Sequence, residues 1–165
     1  MLRRHFILFV IIEMSISLGA CQPSNNIQKD TLSCVNLTDD SGLSYKIVQT
    51  VDLLDNHRVD SSRTLSIFYD TKKAIIHLPI PDEEVKNFSI EKITKNHNGI
   101  TLITTQGGGD YIVRRHFVFI TIQRQLFLDK IVSEYGSFDS EEMETDVNSF
   151  RPNLLIDEIE LTQFL

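Results

Sequence analysis

The chain has 165 residues and a formal net charge of −7, and 41% of its residues are hydrophobic. This hydrophobic content is ordinary for a globular protein and excludes wholesale disorder. The charge is uneven, because residues 21–133 are balanced whereas residues 134–165 hold nine acids against one base, Arg151. Nucleic-acid binding needs a basic face, so we expect no nucleic-acid partner and no electrostatic docking on anionic lipid.

The N-terminus begins with two bases, Arg3 and Arg4, followed by an apolar run over residues 6–12. Residues 6–18 span about 20 Å as a helix, which is too short for a bilayer core of roughly 30 Å. Small residues then lead to one cysteine in the sequence Leu18-Gly19-Ala20-Cys21. A charged start, a short apolar segment and small residues favour an export signal over a permanent membrane span.

Residues 1–21 resemble the signal peptide and lipobox of a bacterial lipoprotein, and the resemblance covers no more of the chain. It implies cleavage after Ala20 and acylation of Cys21, so that several acyl chains hold the mature protein at a membrane. An Asp directly after the acylated cysteine would resemble a lipoprotein retained at the inner membrane. Residue 22 is Gln, so the resemblance implies the outer membrane, facing the periplasm. The alternative left open is an ordinary secretory signal with an unmodified Cys21.

The domain organisation follows from this start. Residues 1–20 are the predicted signal peptide, residues 21–42 a lipidated cysteine and polar tether, and residues 43–165 a single β-rich domain. If Cys21 is lipidated, Cys34 has no partner for an internal disulfide, and we expect it to be half-buried.

The middle of the chain reads as strands separated by turns. Alternating residues predict strands over 64–69 and 74–78, then 88–94 and 100–105, with a hairpin at Asn98-Gly99 between the last two. Gly107-Gly108-Gly109-Asp110 is interpreted as a hairpin loop, since no Gly-Lys and no helix follow to make a phosphate loop. The next strands are 111–122 and 126–135.

Residues 111–122 form the longest predicted strand. Its second half is apolar on both faces, which is typical of a central strand covered on both sides. Its first half is polar on both faces, so we expect it to project towards solvent or a rim. The pattern of residues 138–150 fits either a short helix or an irregular loop. That of residues 154–161 fits either a last strand or a helix.

These elements predict a mainly β fold, a single antiparallel β-sandwich or small barrel with one or two short helices at most. The chain has no G-x-S-x-G, S-x-x-K or H-E-x-x-H motif, and its histidines form no close pair of the kind that binds metal. We therefore expect no enzymatic activity, no metal and no cofactor.

The acidic C-terminal third holds the one candidate binding site. Its members are the clustered acids Asp139, Glu141, Glu142, Glu144 and Asp146. Their spacing lacks the pattern of a calcium loop, whereas clustered acids speed encounters with cationic proteins. We expect an envelope lipoprotein that binds another protein, for which the acidic cluster favours a basic one, as an immunity-type inhibitor that sequesters a toxin or enzyme. The alternative is a structural accessory of an envelope assembly or secretion machine.

Overall fold

A computed structural model describes residues 27–80, 87–108, 110–137 and 143–165, with the backbone alone at residues 60 and 61. The predicted signal peptide and Cys21 lie outside the described residues. So do Asp139, Glu141 and Glu142 of the acidic cluster. The fold and the remaining candidate residues can be traced in the described part.

The described chain forms ten strands, numbered in chain order, in two five-stranded sheets. The first sheet has the order β1-β2-β3-β4-β10, and its strands are β1 (Gln28–Thr38), β2 (Ser44–Leu54), β3 (His57–Tyr69), β4 (Lys72–His77) and β10 (Glu158–Glu160). The second sheet follows chain order, with β5 (Ser89–Asn96), β6 (Gly99–Gly108), β7 (Tyr111–Ile122), β8 (Gln125–Ser137) and β9 (Glu144–Leu155).

The predicted mainly β sandwich is confirmed. Sequential strands within each sheet pair antiparallel, whereas β10 returns to the first sheet and pairs parallel with β4, Ile159 opposite Ile76. One 3-10 turn, Leu161–Phe164, follows β10. The return strand lets the end of the chain cover the core, since Ile156 and Leu161 are fully buried.

The core lies between the two sheets, where every second residue of the central strands points inward. Along β7 the buried positions are Val113, Arg115, Phe117 and Phe119, and the residues between them are less buried. The facing layer of the first sheet supplies Tyr45, Ile47, Leu65, Ile67 and Ile76. This layer pattern confirms β7 as a central strand of its sheet. The expected cover on both faces is wrong, because Val118 and Ile120 on the outer face are only half-buried and Ile122 is 43% exposed.

Tight turns join the strands. Asp55 and Asn56 have φ of 51° and 65°, and Gln123 and Arg124 have φ of 50° and 60°, as two-residue hairpin loops require. The predicted hairpin between β5 and β6 is present, but Asn96 pairs with Gly99, so its loop is one residue earlier than expected. Gly99 is needed for close approach, because a Cβ there would lie 2.2 Å from the carbonyl oxygen of Phe119.

Several sequence predictions need correction. The tether was expected to reach residue 42, but β1 begins at Gln28 and pairs with β2, so the sheet starts earlier. The polar residues of β1 are explained by its position as an edge strand, one face of which contacts solvent. For the same reason Cys34 is exposed, not half-buried, and its thiol is free. The acidic stretch, expected as a helix or loop, enters strand β9 at Glu144.

A hydrogen-bond network around Asp39 joins the sheets at one end. Asp39, only 4% exposed, accepts bonds from the backbone N–H groups of Ser41 and Leu43, each at 2.9 Å. Its other oxygen accepts from the Tyr45 hydroxyl at 3.0 Å, and that hydroxyl lies 2.8 Å from the Thr121 hydroxyl of β7. Burial raises the pKa of Tyr45 to about 12, so its hydroxyl stays protonated and the link persists at neutral pH.

Asp39 makes stability depend on pH in the acid range. Burial raises the pKa of Asp39, but hydrogen bonds from Ser41, Leu43 and Tyr45 outweigh it, and the pKa lies below its ordinary value. A lowered pKa means that the carboxylate stabilises the fold fully above its unfolded-state pKa of about 4, and that this contribution is lost as pH falls through the folded-state pKa.

We therefore expect Asp39→Asn to lower the free energy of unfolding by about 1–3 kcal/mol at neutral pH, because hydrogen bonds to a charged group are lost. Urea unfolding at pH 7, 5 and 3 measures it. The difference from wild type should stay constant from pH 7 to 5 and shrink at pH 3. Asp55→Asn, in an exposed loop, is the matched control. A difference that persisted unchanged at pH 3 would contradict this role.

Candidate protein-binding edge

Strand β9 forms an outer edge of the second sheet. It pairs with β8 on one side, and no described strand pairs with its other side. Six consecutive residues from Glu144 to Ser149 are exposed, so this half of the strand is open on both faces as well as on its edge. Such an edge presents free backbone N–H and C=O groups to another chain.

The register places the two described acids of the candidate site on one face. Glu144 is opposite Tyr135 and Asp146 is opposite Ser133, so both carboxylates share the inward face of the sheet. No described residue forms an ion pair with either carboxylate. Thr145 lies between them on the opposite face, and Val147, 52% exposed, follows Asp146 on that same opposite face. The acidic face is therefore available to a cationic group.

The second half of β9 differs from the first. The register with β8 shifts between Leu128 and Lys130, and the Arg151 guanidinium donates to the Asp129 carboxylate at 3.0 Å. The Asn153 amide donates to the same oxygen at 3.3 Å. Because Arg151 is held by Asp129, it does not neutralise the acidic half of the strand.

We define the acidic edge as residues Glu144 to Ser149 of β9. Of the five acids predicted as a partner-binding cluster, Glu144 and Asp146 lie on it. Asp139, Glu141 and Glu142 lie in the chain between β8 and β9, outside the described residues. The sequence identified the charge, but it did not identify the edge strand that carries it.

Three histidines lie near acids other than Glu144 and Asp146. His77 of β4 is 2.7 Å from the Glu158 carboxylate, His116 of β7 is 3.5 Å from Glu134, and His97 is 3.9 Å from Asp40. Across the described parts of the chain, no three residues of metal-ligating type come together.

An open cleft of about 340 Å³ lies at the end of the first sheet, and sequence reasoning missed it. Its lining comes from β1, β2, β3 and the turn after β3: Asn36, Leu37, Thr38, Ser44, Tyr45, Lys46, Phe68, Tyr69 and Asp70. The Lys73 ammonium lies 5.6 Å above the Phe68 ring, and Tyr45 is engaged by Asp39. The cleft is therefore shallow and open, and two of its aromatic groups already have partners.

Sequence reasoning also placed the first half of β7 at a solvent-facing rim, whereas its inward side chains are buried. Val113 is 5% exposed and Arg115 is 8% exposed. The signal for this burial is the two-residue alternation that continues from Phe117 and Phe119. The prediction was wrong because Arg115, a charged residue within that alternation, was taken to be exposed.

No helix in the described segments is long and apolar enough to cross a bilayer. Comparison with protein-family models, with curated proteins and with solved structures finds no match to this chain. Because these comparisons indicate no function, the functional proposal rests on the geometry of the acidic edge.

Proposed function

We propose that this protein is an envelope lipoprotein that binds another protein through the acidic edge, as an immunity-type inhibitor of a toxin or enzyme. The observation that carries the proposal is the exposure of Glu144 and Asp146, without ion pairs to described residues, on an edge strand. The proposed partner contributes an extended basic segment.

The edge supports this mode of binding for two physical reasons. An extended segment that adds to a sheet edge gains a ladder of backbone hydrogen bonds, which gives affinity without a deep pocket. Carboxylates at alternate positions on one face then favour Lys or Arg at alternate positions of the added strand. Affinity thus comes from the backbone and selectivity from charge.

The N-terminal resemblance supports the location. Acylation of Cys21 concentrates the domain at a membrane surface, where an inhibitor meets an incoming toxin or a resident enzyme. More than one acyl chain is required for stable anchoring, and a lipoprotein cysteine carries several. The short segment between Cys21 and Gln28 then sets how far the domain lies from the bilayer.

Cys21→Ser is expected to abolish acylation and move the protein from the membrane fraction to the soluble envelope fraction. Intact-mass analysis of the membrane-extracted wild type should give an acylated chain that begins at Cys21. Cys34→Ser is the control, and it should keep both the acyl mass and the membrane fraction. Wild-type protein found in the cytosol with residues 1–20 attached would contradict the proposed location.

Charge reversal tests the binding edge. A photo-crosslinking residue at Val147 of the anchored protein first identifies the partner in cells, with Asn36 on β1 as the control position. The purified partner should then bind Glu144→Lys/Asp146→Lys about tenfold more weakly than wild type, since two exposed ion pairs contribute about 1 kcal/mol each at most.

Glu160→Lys is a single charge-reversal control away from the edge, because Glu160 is an exposed acid on the first sheet. It should bind within about twofold of wild type, and the wild-type affinity should fall at high salt. Stoichiometric loss of the partner's toxicity or activity supports the inhibitor function. Equal effects of the edge and control variants would argue against the acidic edge, and co-purification with a large assembly would favour an accessory role.

A further inference from the structure

The inward face of the second sheet carries a buried guanidinium. Arg115 of β7 lies between Val113 and Phe117 on that face, and it is 8% exposed. Its neighbours across the sheet are Thr104 of β6 and Ser133 of β8, both buried. A cationic side chain therefore sits in a row of hydroxyl groups at the border of the apolar core.

No carboxylate of the described residues compensates this charge. Arg114, on the opposite face, pairs with Glu91 at 2.8 Å and with Glu134 at 3.6 Å. Arg115 has no such ion pair with a described residue, and its Nη1 is buried without a hydrogen-bond partner. Burial lowers the pKa of Arg115, while the charges of Tyr135 and Tyr111 and a side-chain hydrogen bond with Tyr135 act in the other direction. A buried charge without a counter-ion is costly, which favours an anion at this place.

Three further side chains have unpartnered buried atoms. One is His116, on the outer face, whose Nε2 lies 3.5 Å from Glu134. The other two are Gln106 Oε1, opposite Val113 and two residue pairs nearer the rim than Arg115, and Arg63 Nε of β3. A rotated Gln106 amide presents its NH₂ group instead of its oxygen. Unpartnered groups from both sheets therefore belong to the same end.

Arg63 and Arg115 lie at the same level along their strands, at the same distance from the opposite end of the sandwich. At the opposite end of the sandwich, Tyr69 accepts a bond from the Leu126 N–H at 3.3 Å, and Tyr45 meets Thr121. Arg63 is six residues from Tyr69 along β3, and Arg115 is six residues from Thr121 along β7. At about 3.3 Å per residue, each arginine lies about 20 Å from these contacts.

We propose that this end of the sandwich binds a small organic monocarboxylate, with its carboxylate on the Arg115 guanidinium. The planar guanidinium donates two parallel hydrogen bonds to a carboxylate, and the hydroxyl groups of Thr104 and Ser133 flank it. The apolar side chains of Val113 and Phe117 suit the carbon chain. A carboxylate also sheds less hydration than a phosphate dianion on entering such a site.

The route to the site passes the rim. Tyr111 is 52% exposed there, and Tyr135 and Gln106 are half-buried. Since Nη1 has no solvent contact, one of these two half-buried side chains must rotate to admit the ligand. Asp146 shares this face two strands away, about 10 Å at the usual strand spacing, and its exposed charge weakens anion binding only slightly.

Titration with sodium acetate and sodium butyrate tests the proposal. At constant ionic strength, ¹⁵N-¹H spectra of the full mature domain should show saturable shifts at Thr104, Arg115 and Ser133. Butyrate should bind more tightly than acetate, because Val113 and Phe117 contact its chain. Arg115→Gln should weaken binding at least about tenfold, whereas Arg114→Gln on the outer face should change it less than about twofold.

If Arg115→Gln does not fold, a second measurement still tests the proposal. Butyrate should raise the wild-type Tm but raise that of Ser133→Ala or Thr104→Val less, since a ligand stabilises the state it binds. Absence of saturable shifts with both carboxylates would overturn the proposal. Tighter binding of inorganic phosphate than of butyrate would overturn the carboxylate assignment, as would equal losses in the Arg114 and Arg115 variants.

Discussion

The structure depends on the burial of two inward faces against each other. Each central strand places every second side chain in a shared core, and that core includes residues from both sheets and from the C-terminal segment. This burial fixes the register of the strands, because a shift by one residue would turn the core residues of β7 outward. The Asp39 network then fixes one end of the sheets relative to each other.

The same arrangement separates the surfaces with proposed functions. The apolar rows occupy the middle of the sandwich, so polar and charged residues collect at its ends and edges. Glu144 and Asp146 lie on an edge strand that remains open, whereas Arg115 lies at the inner border of the core. The first position suits a macromolecular partner that adds a strand, and the second suits a small anion. The two proposals rest on different strands and are tested by different variants.

Much of the fold was predictable because β structure leaves a two-residue alternation in the sequence. Residues 111–122 were predicted as a central strand, and β7 has those bounds. The prediction was wrong where polar composition was equated with a lack of structure. β1 and β9 are edge strands, and an edge strand needs few buried side chains because much of its surface faces solvent. Sequence patterns therefore predict edge strands less completely than central strands.

By itself the sequence determined the strand faces, most turns and the acidic character of residues 134–165, since each depends on near neighbours in the chain. It also carries the lipoprotein-like start that underlies the proposed location. Only the tertiary structure decided that Glu144 and Asp146 share an open edge, that Gly99 lies against the Phe119 carbonyl and that Arg115 is buried. These features depend on which strands become neighbours and which face is covered, and long-range packing alone sets those pairings.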